Sequence, residues 1–210
     1  LGVSGRERPR RQAAEDRLRQ APEGVVPARG QAATTEERLA IFRREAEAAF
    51  ATMAQVETAA EVPGAVAEYL RDHNLPATVR MGEDSRLTGM PWGATALETT
   101  RGPSHGGDLN AVSHAFGGVA ETGTLVMVSG PENPSTLNFL PDNHVVVVRA
   151  ADIAGDYEAV LRRVRQMFGK GAMPRTINFI TGPSRSADVE QTLLLGAHGP
   201  RRLHIVVVKG

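Results

Sequence analysis

Two short apolar runs constrain the chain most: TINFI at 176–180 and LHIVVV at 203–208. Both are bounded by Gly or Pro and rich in Ile and Val, the composition of strands buried on both faces. Between them, 181–200 reads TGPSRSADVEQTLLLGAHGP. Within it, 186–195 has the length of one helix, with Ser186 at its N-cap and Asp188 and Glu190 in its first turn. Strand, turn, helix, turn, strand is a βαβ unit, so the two strands are expected to be parallel. The loop Gly182-Pro183-Ser184-Arg185-Ser186 then falls at the carboxyl end of a strand and the amino end of a helix. Free backbone N–H groups and the helix dipole favour an anion there, and Arg185 with two serine hydroxyls adds donors. The plainer reading keeps Ser184 and Ser186 as caps and pairs Arg185 with Asp188 or Glu190.

The 210 residues suffice for one α/β domain with a solid core plus an extension. Basic and acidic residues balance at 24 each, and there are one Trp and two Tyr. Neither a global positive field nor a stacking surface is available for nucleic acid. With no cysteine, these residues supply no disulfide, thiol nucleophile, Cys-ligated iron–sulfur cluster or ordinary structural zinc site. The only lysines are Lys170 and Lys209, which leaves Schiff-base chemistry few candidates. No run of about 18 apolar residues and no signal-type apolar segment occurs, so a soluble, cytoplasmic protein without membrane insertion is expected.

In chain order, 1–34 reads as a partly flexible extension with one short helix at 10–20, and 35–210 as the domain proper. From Thr35, the residues Leu39, Phe42, Ala46, Ala49, Phe50, Met53 and Val56 recur at helical spacing, predicting one long helix that ends before Pro63. A second helix is expected at 64–73, strands at 77–81 and 95–100, and a short helix at 108–119 that carries His114 as a partial-core residue. Ala120-Glu121-Thr122-Gly123-Thr124-Leu125 leads into a strand, where Glu121 beside a Gly turn is a base, a nucleophile or a cap. HVVVVR at 144–149 is a buried strand opened by His144, and a hairpin could join it to the strand at 123. A helix at 152–168 stops at Gly169-Lys170-Gly171, which lacks the spacing of a phosphate loop. The fold class that emerges is α/β, a mostly parallel sheet with helices on both faces. No pair of histidines has metal-ligand spacing, so no metal site is expected.

Three tracts together carry a resemblance: 120–125 (AETGTL), 137–141 (LNFLP) running on to His144, and 182–190 (GPSRSADVE) with 196–200 (GAHGP). In order and spacing they resemble the LUD-domain family of lactate-utilisation proteins, in particular its small C-type subunit. The resemblance runs from about Thr35 to the last residue. Departures are small: Ser186 stands where Thr is usual, Ala197 where Val is usual, and Asn143 precedes the histidine.

The resemblance implies a NagB/RpiA/CoA-transferase-like fold and membership in a multi-subunit system that oxidises L-lactate, with iron–sulfur clusters held by partner subunits and no cofactor bound by this chain. Two readings follow from it. In the first, the chain is a non-redox accessory component. Glu121, Thr122, Gly123, Thr124, Gly182, Pro183, Ser184, Arg185, Ser186, Asp188, His198 and Gly199 then line a groove for a small carboxylate or phosphate, or dock the redox subunits. In the second, Glu121 is the nucleophile of a CoA-transferase-like or sugar-phosphate-type enzyme, with His144 or His198 as proton carrier. A plainer alternative makes all these turns folding elements alone. Under either functional reading, Glu121 and the Ser184-Arg185 loop are expected to converge on one pocket at the carboxyl ends of the strands.

Overall fold

Thr34 is where the first packed helix begins. Its hydroxyl accepts from the backbone N–H of Glu37 at 3.1 Å, and the Glu37 carboxylate accepts in return from the N–H of Thr34 at 3.1 Å. This reciprocal cap satisfies two otherwise unpaired donors. In the computed structural model, which describes residues 7–20, 24–169, 171–187 and 193–210, the elements in chain order are as follows. Helix α1 (Glu7–Gln20) precedes α2 (Thr35–Ala48), β1 (Thr52–Val56), α3 (Val62–Asp72), β2 (Thr78–Met81), the short α4 (Ser85–Thr88) and β3 (Glu98–Arg101). Then come β4 (Asn110–His114), β5 (Gly117–Val119), β6 (Thr124–Val128), β7 (Asn143–Arg149), β8 (Ile153–Ala154) and α5 (Tyr157–Phe168). The last strands are β9 (Ile177–Ile180), β10 (Arg185–Ala187), β11 (Leu193–Leu195) and β12 (Arg202–Val208).

Six strands form one sheet in the order β1-β12-β7-β4-β2-β3, with every neighbouring pair parallel. The valine runs alternate across it. Val145 and Val147 of β7 join Val62, Val66 and Leu70 of α3 on one face. Val146 and Val148 join Phe42 and Ala46 of α2, with Leu125 and Ile153, on the other. That second face is covered by α2 together with a second sheet, β8-β5-β6-β9. Val160 and Tyr157 of α5 then pack against Val119 and Val126 of this smaller sheet. Both long valine runs are thus buried on both faces, as a central parallel strand requires. No helix among the described residues is long and apolar enough to cross a membrane.

Four sequence expectations are corrected. The long helix ends at Ala48, and Phe50 turns the chain at φ 70° into β1, an edge strand whose residues 52–56 pair with 204–208 of β12. Met53 and Val56, three residues apart, match a helical period, but in β1 they fall on opposite faces of the sheet, Met53 with the α2-side core and Val56 with the α3-side core, and pairing along the sheet overrode the local pattern. The expected helix at 108–119 is two strands: Ala111 and Val112 are fully buried between β7 and β2, where a helix could not satisfy its neighbours' hydrogen bonds. The runs at 176–180 and 203–208 are not a βαβ pair. Strand β9 runs antiparallel to β6 in the small sheet, and 185–195 contributes the antiparallel arms β10 and β11, with Arg185 opposite Leu195. Three consecutive leucines, 193–195, carry no helical alternation, and cross-strand bonds satisfy this backbone instead. Finally, β6 and β7 belong to different sheets rather than one hairpin. Helix α5 begins at Tyr157, capped by Asp156, whose carboxylate accepts from Ala159 N–H at 2.8 Å.

Candidate functional site

The Glu121-Thr122-Gly123-Thr124 turn is one 3-10 turn that ends on Gly123 at φ 63°. Gly123 presses on the backbone of Glu45 and Ala46 in α2, so close that a Cβ there would overlap main-chain atoms. The Glu121 carboxylate is 5% exposed and lies beside Gly30 and Asp156. One of its oxygens accepts a long hydrogen bond from Tyr157 N–H at 3.4 Å, and Oε2 has no protein partner. The hydroxyls of this turn form a chain: Thr122 to Thr124 at 2.7 Å, both to the Tyr157 phenol at 3.1 Å, and Thr124 to Thr181 at 2.6 Å. Tyr157→Phe breaks two of these bonds and is expected to cost about 1–2 kcal/mol in urea unfolding.

Thr181 follows β9 and opens the Gly-Pro-Ser-Arg loop. Gly182, at φ 69°, packs so tightly on the Ala49 carbonyl that only Gly fits. Ser184 is laced on both sides: its N–H donates to Pro200 O at 2.8 Å and its carbonyl accepts from Gly196 N–H at 2.9 Å. A Cβ at Gly199 would stand 3.3 Å from Ser184 Cβ, so a side chain there would crowd the serine. The Arg185 guanidinium lies over the exposed Phe50 ring at 5.3 Å, a cation–π contact. Gly182, Ser184, Arg185 and Gly199, with His198 and His144, line a cavity of about 280 Å³.

His144 is fully enclosed at its inner wall. Its Nε2 is 3.0 Å from Ser113 Oγ, its Nδ1 has no protein partner, and burial pushes its pKa down to about 3. The ring is therefore neutral near pH 7 and can offer a ligand only a lone pair or an N–H, not a charge.

The cavity lies at the carboxyl end of β9 but at the amino ends of β7 and β12, where His144 and Leu203 begin their strands. The large sheet thus presents its opposite edge from the one expected. A polar ladder closes this edge: Arg202 donates to Asn143 Oδ1 at 3.2 Å, and Asn143 donates to Asn110 Oδ1 at 2.9 Å. The register aligns these three residues across β12, β7 and β4. The sequence reading missed Asn110 and Arg202, which only strand register brings together, and Asn138, which a 3-10 turn at 135–138 brings to the cavity wall.

Of the residues expected at one site, Gly182, Pro183, Ser184, Arg185, His144, His198 and Gly199 line the cavity. Glu121, Thr122, Gly123 and Thr124 do not line it and reach it only through the Thr124–Thr181 bond. Ser186 pairs in β10 opposite Leu194, and Asp188 lies outside the described residues. The two motifs meet, then, with the Thr-Gly-Thr turn supporting the loop from behind. Among the described residues, no three His, Asp or Glu side chains are grouped to hold a metal.

Comparison with known proteins supplies the context. The chain is 38% identical over 91 residues to Lactate utilization protein C of Geobacillus thermodenitrificans, covering 43% of this chain and 38% of that protein. It is 34% identical over 90 residues to Lactate utilization protein C of Shouchella clausii, covering 43% and 39%. The matched stretch therefore spans under two-fifths of these relatives' own length. A crystal structure of a DUF162 family protein from Deinococcus radiodurans superposes with a TM-score of 0.62 at 22% identity, covering 84% of this chain and 99% of that one. At that identity the likeness is one of fold. The model of the LUD domain matches residues 111–208, the stretch that runs from β4 through the Glu-Thr-Gly-Thr turn and the laced loop to β12, so it is with the LUD domain that this segment shares its sequence pattern.

Proposed function

We propose that this chain serves lactate utilisation as a non-redox component, holding a small carboxylate such as L-lactate or pyruvate in the amino-edge cavity while iron–sulfur partner subunits carry the electrons. The observation behind it is the laced loop. Ser184 and Arg185 are set in the wall by the bonds to Pro200 and Gly196, with Gly199 packed beside Ser184 and His198 next to it, and the volume of about 280 Å³ suits a molecule of that size. Arg185 supplies the charge for a carboxylate, and serine and backbone donors orient it. Relatives named for lactate utilisation supply the system, and the lack of cysteine in these 210 residues leaves cluster ligation to other chains. Nothing in the geometry favours the CoA-transferase-like alternative, since Glu121 stands behind Gly30 and lines no cavity wall near the loop.

Titrating L-lactate and pyruvate into the labelled chain, followed by amide NMR, tests the site. Shifts are expected at 182–185 and 196–199. Arg185→Gln, an exposed change with little effect on folding, should weaken binding at least about tenfold. Shifts confined to other regions, or none at ~10 mM ligand, would refute the assignment.

A further inference from the structure

The large sheet ends in β1 on one side and β3 on the other. An edge strand leaves a row of backbone donors and acceptors without a strand partner, and charged side chains along it are the usual guard against another strand joining. Strand β3 has that guard: it reads ETTR, with Glu98 and Arg101 at its ends and Arg101 ion-paired to Glu83 at 3.4 Å. Strand β1 reads TMAQV, with no charge, no Pro and no Gly.

The outward groups of β1 can be assigned. The N–H of Lys209 donates to Val56 O at 3.0 Å, so Val56 turns its backbone toward β12, and in a parallel pair alternate residues do the same. Met53 and Gln55 therefore turn their N–H and C=O groups away from the sheet. Among the described residues no backbone group meets them there.

Five residues of strand make too small a contact to hold a partner alone. What lies alongside decides the matter. Between α2 and β1 runs a groove of about 510 Å³ whose lining includes Glu36, Leu39, Ala40 and Arg43 of α2 and Gln55 of β1. At spacings of three, four and seven, the four helical residues form one stripe, in the order acid, apolar, apolar, base. Turned end for end, such a stripe is complementary to itself. Glu36 has no ion-pair or hydrogen-bond partner, and Arg43 touches Glu47 only through Nη1 at 3.3 Å, so its Nε–Nη2 edge is free. Because Gln55 shares the groove with Leu39 and Ala40, one two-fold axis passing there serves helix and strand together.

We propose that this edge binds a second copy of the chain. Strand β1 pairs antiparallel with β1 of the second copy about Gln55, which continues the large sheet from one copy into the other. Glu36 of each copy faces Arg43 of the other, with Leu39 and Ala40 packed between. The contact is isologous, so assembly closes at two and no filament grows. On the other face of the sheet, the groove of about 240 Å³ beside β1 is lined in part by Ala54 and Ala65, whose small side chains leave room for the incoming strand. Glu68 and Asp72 at that groove lie 3.8 and 3.6 Å from the Arg71 guanidinium, which offsets their charge. The interface takes no residue from the amino-edge cavity and does not rest on the function proposed for it.

Sedimentation velocity of the full chain at ~1–200 µM tests the pairing, and a dimer with a dissociation constant below ~100 µM is expected. Gln55→Lys, at an exposed position, brings two ammonium groups together at the axis and should weaken the dimer at least about tenfold. Glu36→Arg and Arg43→Glu should each do the same by setting like charges face to face, at least about tenfold. The double variant Glu36→Arg/Arg43→Glu restores opposite charges across the axis and should return to within about threefold of the unaltered chain. A chain that stays monomeric at ~200 µM would leave the edge to a different partner and overturn the proposal. So would a dimer indifferent to Gln55→Lys, or a double variant no tighter than either single one.

Discussion

Gly123→Ala is expected to remove a large part of the stability of this domain. At φ 63° an alanine would sit in the left-handed region, at a cost of about 1–2 kcal/mol from backbone sterics alone. The larger part comes from α2. The new Cβ would overlap the main-chain atoms of Glu45 and Ala46, so the helix that covers one face of the large sheet has to move, carrying the buried Phe42 and Ala46 with it. A loss of at least about 4 kcal/mol is expected, against a typical total of about 5–15 kcal/mol. Urea unfolding of the variant beside Gly130→Ala, where nothing lies within 4 Å of the added Cβ, makes the comparison. Similar midpoints for the two would show that the turn does not bear on α2, and that the motif is retained for another reason.

The second large effect is acid destabilisation beginning well above the carboxylate range. His144 and His204 ordinarily titrate at 6.5, but in the folded chain burial holds them at about 3 and about 4, with His73 adding to the shift at His204. Above pH 6.5 both states are neutral and stability is unaffected. As pH falls below that value the unfolded chain takes up protons that the folded chain refuses, so stability declines until the folded values are reached. At pH 5, about 1.5 units below 6.5, each histidine contributes a loss of about 2 kcal/mol, and the pair about 4 kcal/mol. His114, also lowered by burial, acts in the same direction. Below about pH 4 the Asp84 carboxylate adds its own loss, since its depressed value gives stability only above the unfolded pKa. Urea unfolding at pH 7 and pH 5 reads this directly. His204→Gln, which keeps a partner for Thr52 Oγ1, should reduce the pH-dependent loss by about half whatever it does to stability at pH 7. A flat profile between pH 7 and 5 would mean that water reaches both rings.

Both effects depend on positions that the sequence marks without explaining. The valine runs at 144–149 and 203–208 could belong only to strands covered on both faces, and the Thr34–Glu37 spacing set the start of α2, because these are local properties of side-chain period and backbone capping. The loop residues from Gly182 to Arg185, His144, His198 and Gly199 were also legible, through their kinship to a family and their Gly and Pro turns, and they line one cavity. The sheet to which each short run belongs was not legible. The 108–119 segment fits a helical and a strand period equally, and only pairing of Ala111 and Val112 with β7 and β2 decides between them. For the same reason Glu121 reads as a reactive carboxylate from its motif, yet the turn that carries it faces α2 and Gly30, away from the cavity. Asp84, Arg86, His114 and Asn133, spread over 50 residues of chain, come together only because β2 and β4 are neighbours. Local chemistry determines which elements form, whereas the pairing of distant strands, settled by hydrogen bonds and burial that no short window contains, decides which side chains share a site.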